Sequence, residues 1–99
     1  MNQAVVTMVE GDISPDRVES FLAELPSDTN LPPFLIGVTV AKESGSNRWR
    51  IITTWRSREA LESYRESVDT PTAFVAFRAA GTEPNLTIWE AERVLHGPS

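Results

Sequence analysis

The sequence predicts an α+β fold, a ferredoxin-like βαββαβ domain with a four-stranded antiparallel sheet and helices on one face. Three observations lead to it. Leu31 to Ser67 reads as two alternating strand-like runs around a polar turn, and the second run enters a capped helix directly through Trp55. A short β-branched run and a proline-initiated amphipathic helix come before it, and a helical pair and a last strand come after. Finally, each strand carries adjacent apolar residues, so the sheet has two apolar faces and too few helices to cover both.

Gln3 to Glu10 (QAVVTMVE) is rich in β-branched residues and stops at Gly11-Asp12, which predicts the first strand. Ser14 is placed as an N-cap and Pro15 at the first helical position, where its missing N–H costs nothing. Ile13 and Val18 are spaced for a hydrophobic staple across that cap. Val18, Phe21, Leu22 and Leu25 form one apolar stripe, and Pro26 ends the helix. Ser27 to Pro33 is a polar, proline-closed loop. Phe34 to Lys42 is the second strand, Ser44-Gly45-Ser46-Asn47 the turn, and Arg48 to Trp55 the third strand. Ser57 caps the next helix, whose apolar face carries Ala60, Leu61, Tyr64 and Val68. Thr70-Pro71 restarts it as a shorter piece with Ala73, Phe74 and Phe77 inward and Gly81 as the C-terminal cap. Asn85 to Leu95 is the final strand.

Ninety-nine residues give one domain, residues 1–99, with a single modest core. The net charge of −5 argues against nucleic acid, because a phosphate-tracking surface needs a basic patch and the arginines here are scattered. The chain also lacks the strand-borne aromatic pair of an RNA-binding βαββαβ domain. Apolar runs are too short to span a bilayer, and Met1 to Val9 lacks the basic start and long apolar centre of a signal peptide, so no membrane partner is expected. Absence of cysteine removes disulfides and thiol catalysis and fits a reducing cytoplasm. With a single histidine, a structural zinc is not expected either. No G-x-S-x-G, P-loop or dinucleotide fingerprint appears, so no cofactor is expected.

Val5-Val6, Leu35-Ile36, Ile51-Ile52 and Ile88-Trp89 are neighbours within their strands, and each pair offers one apolar group to each face. Leaving large side chains wet forfeits roughly 1.5–3 kcal/mol apiece. A second copy packed sheet against sheet removes that loss, so a homodimer closing into an α/β barrel is expected.

At these residues the chain resembles the antibiotic-biosynthesis-monooxygenase family of dimeric α+β barrels. Leu31-Pro32-Pro33-Phe34-Leu35 is similar to that family's approach into strand two, and Thr54-Trp55-Arg56-Ser57-Arg58-Glu59-Ala60-Leu61 resembles its strand-to-helix corner. The resemblance covers nearly the whole chain. It implies a cofactor-independent monooxygenase acting on an aromatic small molecule, phenolic or polyketide-like. The alternative is a non-catalytic dimer of the same fold that binds a hydrophobic small molecule. Haem-degrading members of the family use a helix Trp, a His about ten residues on and a strand-one Asn. Here those positions are Tyr64, Phe74 and a strand with no Asn, so that branch is not implied. Quinone-forming members pair a Trp at the Trp55 position with an Asn four residues earlier, which is Ile51 here.

The candidate catalytic residues are therefore Trp55 and Tyr64, with Ile51, Thr53, Phe74 and Phe77 as candidate substrate-binding residues. Trp55 suits two roles, a pocket wall whose indole N–H donates to a substrate oxygen or a core tryptophan sealing the corner. The Tyr64 hydroxyl is placed to enter a cavity or to reach solvent at the helix edge. Trp89 belongs to core or dimer interface, and Trp49, near the hairpin turn, to the cover of a partner's edge. His96 reads as a surface residue near the chain end. Glu90 and Glu92 share one strand face and are expected to pair with Arg48 and Arg50 rather than to do acid–base work. A ligand needs a cavity of some ~300 Å³ or more reaching Trp55 between sheet and helices.

Overall fold

The computed structural model describes residues 3–25 and 32–93. Its elements run β1 (Val5–Asp12), α1 (Val18–Ala23), β2 (Leu35–Lys42), β3 (Arg48–Trp55), α2 (Arg58–Ser67), α3 (Thr72–Ala79) and β4 (Asn85–Glu90), with a 3₁₀ turn over Pro15–Arg17. All four strands are antiparallel to their neighbours, in the order β2-β3-β1-β4. This is the expected βαββαβ sheet, with the second helical segment in two pieces.

Register decides which side chains meet the helices. Val5, Thr7 and Val9 lie opposite Trp55, Thr53 and Ile51 of β3, and Thr7 and Val9 lie opposite Ile88 and Leu86 of β4. These residues share the helix-covered face, because paired residues point to the same side. Val6, Met8, Ile52 and Trp89 take the other face by alternation. The pairing of β2 with β3 jumps from Leu35 to Gly37, so Ile36 is an extra residue in a bulge and stands 54% exposed.

The strand and helix ends moved in ways with local causes. β1 begins at Val5 and runs two residues past the expected stop, because Arg48 and Trp49 still pair with Asp12 and Gly11. Gly11 is needed there: a Cβ would lie 2.8 Å from Thr82 Cγ2, in the crossing where the Thr82 hydroxyl donates to the Asp12 carbonyl at 2.6 Å. Ser14 makes no side-chain cap, and Pro15–Arg17 forms a 3₁₀ turn, so α1 starts only at Val18. Leu22, expected on the buried stripe, is 45% exposed, and Phe21 takes the core position alone in that turn. The expected helix stop at Pro26 lies outside the described residues. Ser57 caps α2 as expected, its Oγ accepting from the Ala60 N–H at 3.1 Å. Gly81, at φ +78°, follows α3, and the N–H groups of Thr82 and Gly81 donate to the carbonyls of Phe77 and Arg78. That is a Schellman closure, which requires the left-handed residue. β4 ends at Glu90 rather than Leu95, and Leu95 lies outside the described residues.

The core is split. One cluster gathers Val9, Ile13, Phe21, Ile51, Ala76, Phe77 and Ala80 where α1 and α3 pack together on the sheet. A second gathers Val5, Trp55 and Leu61, with Phe34, Leu35 and Tyr64 packed against it, beneath α2. The helices are separate because Val68 and Pro71 are extended, and Pro71 at the start of α3 lacks the N–H that a continuous helix would need there.

The expected ion pairs also changed partners. Glu90 approaches Arg58 at 4.0 Å, and Glu92 accepts from the Gln3 side chain at 3.2 Å. Arg50 instead donates to Glu10 at 2.7 and 2.9 Å, and Arg48 lies near Glu10 and Asp12. The register explains this. Arg50 is opposite Glu10 at one end of the sheet, whereas Glu90 is opposite Val5 at the other.

The Arg50 hydrogen bond holds the Glu10 carboxyl below its usual value of 4.5 against the opposing effect of desolvation. A carboxyl whose folded pKa is depressed stabilises the fold above the unfolded pKa and loses that contribution as pH falls through the folded one. Glu10→Gln should therefore lower the melting temperature near neutrality. The gap to the parent protein should close as pH is taken down through the range below 4.5. A gap independent of pH would show that the pair contributes nothing through ionisation.

Candidate functional site

A cavity of about 450 Å³ lies between the two core clusters, over the helix-covered face of the sheet. It exceeds the size a small ligand needs. Its floor is the buried central part of the sheet: Thr7 and Val9 from β1, Ile51 and Trp55 from β3, with Leu61 of α2 closing one side. Its rim is exposed and includes Val38 and Val40 of the edge strand β2, Ile88 of β4, and Arg65 and Thr72 of the helices.

Two features of the sequence leave this space open. The break between α2 and α3 divides the helical layer, so neither helix reaches across the sheet. The residues beneath the gap are of modest size, with threonine at two central positions, Thr7 and Thr53.

Five of the six predicted site residues line the cavity: Ile51, Thr53, Trp55, Tyr64 and Phe74. Phe77 does not. It is 0% exposed, its ring 4.8 Å from that of Phe21, and it belongs to the α1–α3 core. Three residues apart on the inward side of α3, the two rings are offset by only about 60°, enough for Phe77 to meet Phe21 and Phe74 to reach the cavity. The residues that sequence reasoning missed are chiefly Thr7, Phe34, Leu61 and Arg65. The strand alternation through Val5 and Val9 carried a signal for Thr7. None existed for Arg65, which reads as an ordinary solvated helix residue.

Trp55 is 5% exposed and belongs both to the cavity wall and to the core. It walls the cavity, and it holds the second core cluster together through Phe34, stacked at 6.1 Å and 5°, and Tyr64 at 5.2 Å. Its indole N–H donates to Thr7 Oγ1 at 3.0 Å in a buried bond across the central strand pair. That proton was expected to face a substrate oxygen, and it is already committed. The Tyr64 hydroxyl is likewise engaged: it accepts from the Thr72 N–H at 3.0 Å and donates to Thr72 Oγ1 at 3.2 Å, tying α2 to the start of α3. Thr53 is different. Half-buried on the floor, its hydroxyl has no side-chain hydrogen bond among the described residues. Thr53 is thus the polar group best placed to meet a ligand. Among the described lining residues there is no Asp, Glu, His, Lys, Cys or Met, and Arg65 is the only charged side chain.

The other singled-out residues lie away from this cavity. Trp49 packs on the first core cluster beside Phe21, at 5.4 Å, and its buried indole nitrogen has no hydrogen-bond partner among the described residues. Trp89 stands on the opposite face, 55% exposed, its indole N–H donating to Thr87 Oγ1 at 2.9 Å. His96 lies outside the described residues. Among those residues no three of His, Cys, Asp and Glu converge, and no helix is long and apolar enough to cross a membrane.

The same fold recurs in solved structures. A protein from Deinococcus radiodurans provisionally assigned as an antibiotic biosynthesis monooxygenase matches with a TM-score of 0.68 at 14% identity, covering 96% of this chain and 99% of its own. The cofactor-independent oxygenase SnoaB from Streptomyces nogalater matches at 0.65 and 17% identity, over 94% and 97%. The chain has the antibiotic-biosynthesis-monooxygenase fold. A haem-degrading protein from Mycobacterium tuberculosis is also similar to this chain, at 0.66 and 18% identity over 98% and 100%. No family model and no curated protein matches the sequence. Within this fold, the residues that differ between chains must decide the chemistry.

The Trp55–Thr7 bond gives a stability prediction. Thr7→Val keeps the shape but leaves the indole N–H buried without a partner, and should cost about 1–3 kcal/mol in denaturant unfolding. Trp55→Ala removes the wall itself and should cost about 3–5 kcal/mol. A neutral Thr7→Val would mean that the N–H is satisfied from the cavity side.

Proposed function

We propose that the chain works as a one-domain, cofactor-independent monooxygenase on a flat aromatic phenol, assembled as a homodimer in the cytoplasm. The observation that carries this reading is the 450 Å³ apolar cavity floored by Trp55 and Thr53, in the fold shared with a cofactor-independent oxygenase. The described lining offers no carboxylate or imidazole base, so the substrate must be acidic enough to enter as its anion.

The substrate then supplies the electrons. An ionised phenolic system bearing a reactive CH₂ passes one electron to dioxygen, and the resulting superoxide and carbon radical combine to a peroxide. Loss of water leaves a carbonyl. One oxygen atom ends in the product and the other in water, and all four electrons come from the substrate. The protein contributes a dry, shaped cavity and stabilisation of the developing oxyanion. Thr53 is assigned that hydrogen bond, and Trp55, Phe34 and Tyr64 the aromatic contact. Trp55 and Tyr64 act through their rings, with their polar atoms held by Thr7 and Thr72. Those internal bonds also favour the second reading, a dimer that binds a hydrophobic small molecule without transforming it.

Oxygen uptake with a panel of acidic polycyclic phenols separates the two. The first reading expects uptake without added flavin, metal or reductant, and Thr53→Val should reduce it roughly 10²-fold at unchanged melting temperature. Binding without uptake across the panel would favour the second. Trp55→Phe, which keeps a ring and deletes an N–H already spent, should retain most of the rate.

The outer face supports the homodimer. Val6, Met8 and Ile52 are partly buried at its centre, and Ile36 and Trp89 stand more than half exposed beside them. Light scattering at micromolar concentration should give twice 11.0 kDa, and Trp89→Glu should shift the mass towards the monomer while leaving the fold intact. A parent protein that stays monomeric would defeat this assembly.

Haem is not assigned to this cavity. Its described lining residues include no histidine, cysteine or methionine, and the Tyr64 hydroxyl is engaged by Thr72. Titration with haem should give no tight complex with a shifted Soret band and no breakdown with a reductant. Stoichiometric haem degradation would overturn the assignment.

A further inference from the structure

We propose that Arg65 is a specificity determinant of the cavity and selects aromatic ligands that carry a carboxylate at the end facing solvent. The inference rests on the reading of the cavity as an aromatic site and adds the charge of its ligand.

Four observations place Arg65 in this role. It is the single charged side chain among the described lining residues of an otherwise apolar cavity. It sits one turn beyond Leu61, which closes the buried end, and next to Tyr64, so the helix carries the lining from floor to rim. Arg65 itself is exposed, which places the charge at the mouth. Finally, no carboxylate lies within 4.0 Å of it among the described residues, although Glu62, Glu66 and Asp69 are close in sequence. Arg48, Arg50, Arg58 and Arg78 have acidic partners at that distance, whereas Arg17, Arg56 and Arg93, like Arg65, have none among the described residues; of these only Arg65 lines the cavity.

The chemistry of the side chain names the group. A guanidinium is planar and offers a fork of donors that matches the two coplanar oxygens of a carboxylate. The surroundings matter as well. With a formal net charge of −5, the protein as a whole repels anions. Salt screens such long-range repulsion over about 8–10 Å, so a local cation beside a low-dielectric wall decides whether an anion can stay. Rings on the cavity floor and a carboxylate at the rim give the ligand one orientation, with its reactive end towards Thr53.

Arg65 also lies in the last turn of α2, where a cation complements the helix dipole. That bland role predicts a small effect on stability and none on the choice of ligand, so the test reads selectivity. Binding of anthracene-2-carboxylate and of the neutral, near-isosteric anthracene-2-carboxamide is measured by fluorescence on the full chain at neutral pH. The parent protein should prefer the carboxylate by about tenfold, as a charge-assisted bond does over a neutral one. Arg65→Gln should abolish that preference, with carboxylate binding falling by about tenfold and amide binding changing far less. Arg65→Lys should keep part of it, because it restores the charge without the fork. Ala73→Trp, or Val38→Trp at the exposed rim should the first destabilise the fold, must weaken both ligands if they occupy this cavity.

Equal binding of the two ligands by the parent, or a preference that survives Arg65→Gln, overturns the role of Arg65 and leaves the aromatic site standing. Failure of both ligands to bind, or binding indifferent to both blocking variants, overturns the aromatic site and the assignment of Arg65 with it.

Discussion

The structure depends on a sheet whose central strands are apolar on both faces and whose helices cover one face incompletely. β1 and β3 bury alternate residues beneath the helices, but α2 is cut from α3 by an extended link ending at Pro71. The helical layer therefore falls into two parts, each with its own core cluster. The space between them is the cavity. Continuous helix from Arg58 to Ala79 would carry side chains over the same area, so the proline restart shapes the pocket as directly as any residue that lines it.

Trp55 joins the two properties that such a pocket needs, rigidity and an aromatic surface. Its ring is fixed from one side by Phe34 and Tyr64 and along its edge by the bond to Thr7. That bond spends the polar atom which would otherwise mark the residue as a donor to ligand. The Tyr64 hydroxyl is spent in a similar way, on Thr72, where it bridges the break between α2 and α3. Both aromatic residues therefore present ring surface to the cavity and direct their polar atoms into the framework. Hydrogen bonding to a ligand passes to Thr53 on the floor and charge to Arg65 at the rim.

Alternation lets the same strands serve the second face independently. Val6, Met8 and Ile52 are neighbours in sequence of the cavity floor and sit on the opposite side of the sheet from it. The charged group of Glu10, Arg48 and Arg50 bounds that face at one end. The Ile36 bulge adds an exposed apolar side chain on the edge strand. A change on this face can thus alter assembly with little effect on the cavity, since adjacent strand residues are separated by the thickness of the sheet.

Much of this was legible in the chain itself, because it rests on local patterns. Alternation located the strands, with Arg48–Trp55 correct to the residue. Ser57 announced α2, Pro71 announced the helix break, and Gly81 closed α3 with the left-handed residue that closure demands. Five of the six chosen site residues reached the cavity because they lay on faces that periodicity defines. What local pattern could not give was the partner of each polar atom. The bond from Trp55 to Thr7 spans 48 positions, and Glu10 meets Arg50 across 40. Phe77 and Phe74 share the inward side of one short helix, yet only the packing of α1 against α3 sent the first into the core and left the second at the cavity. Arg65 has no feature in sequence that separates it from its charged neighbours. Its position at the mouth follows from where α2 lies over the sheet, and that is fixed by packing between elements distant in the chain.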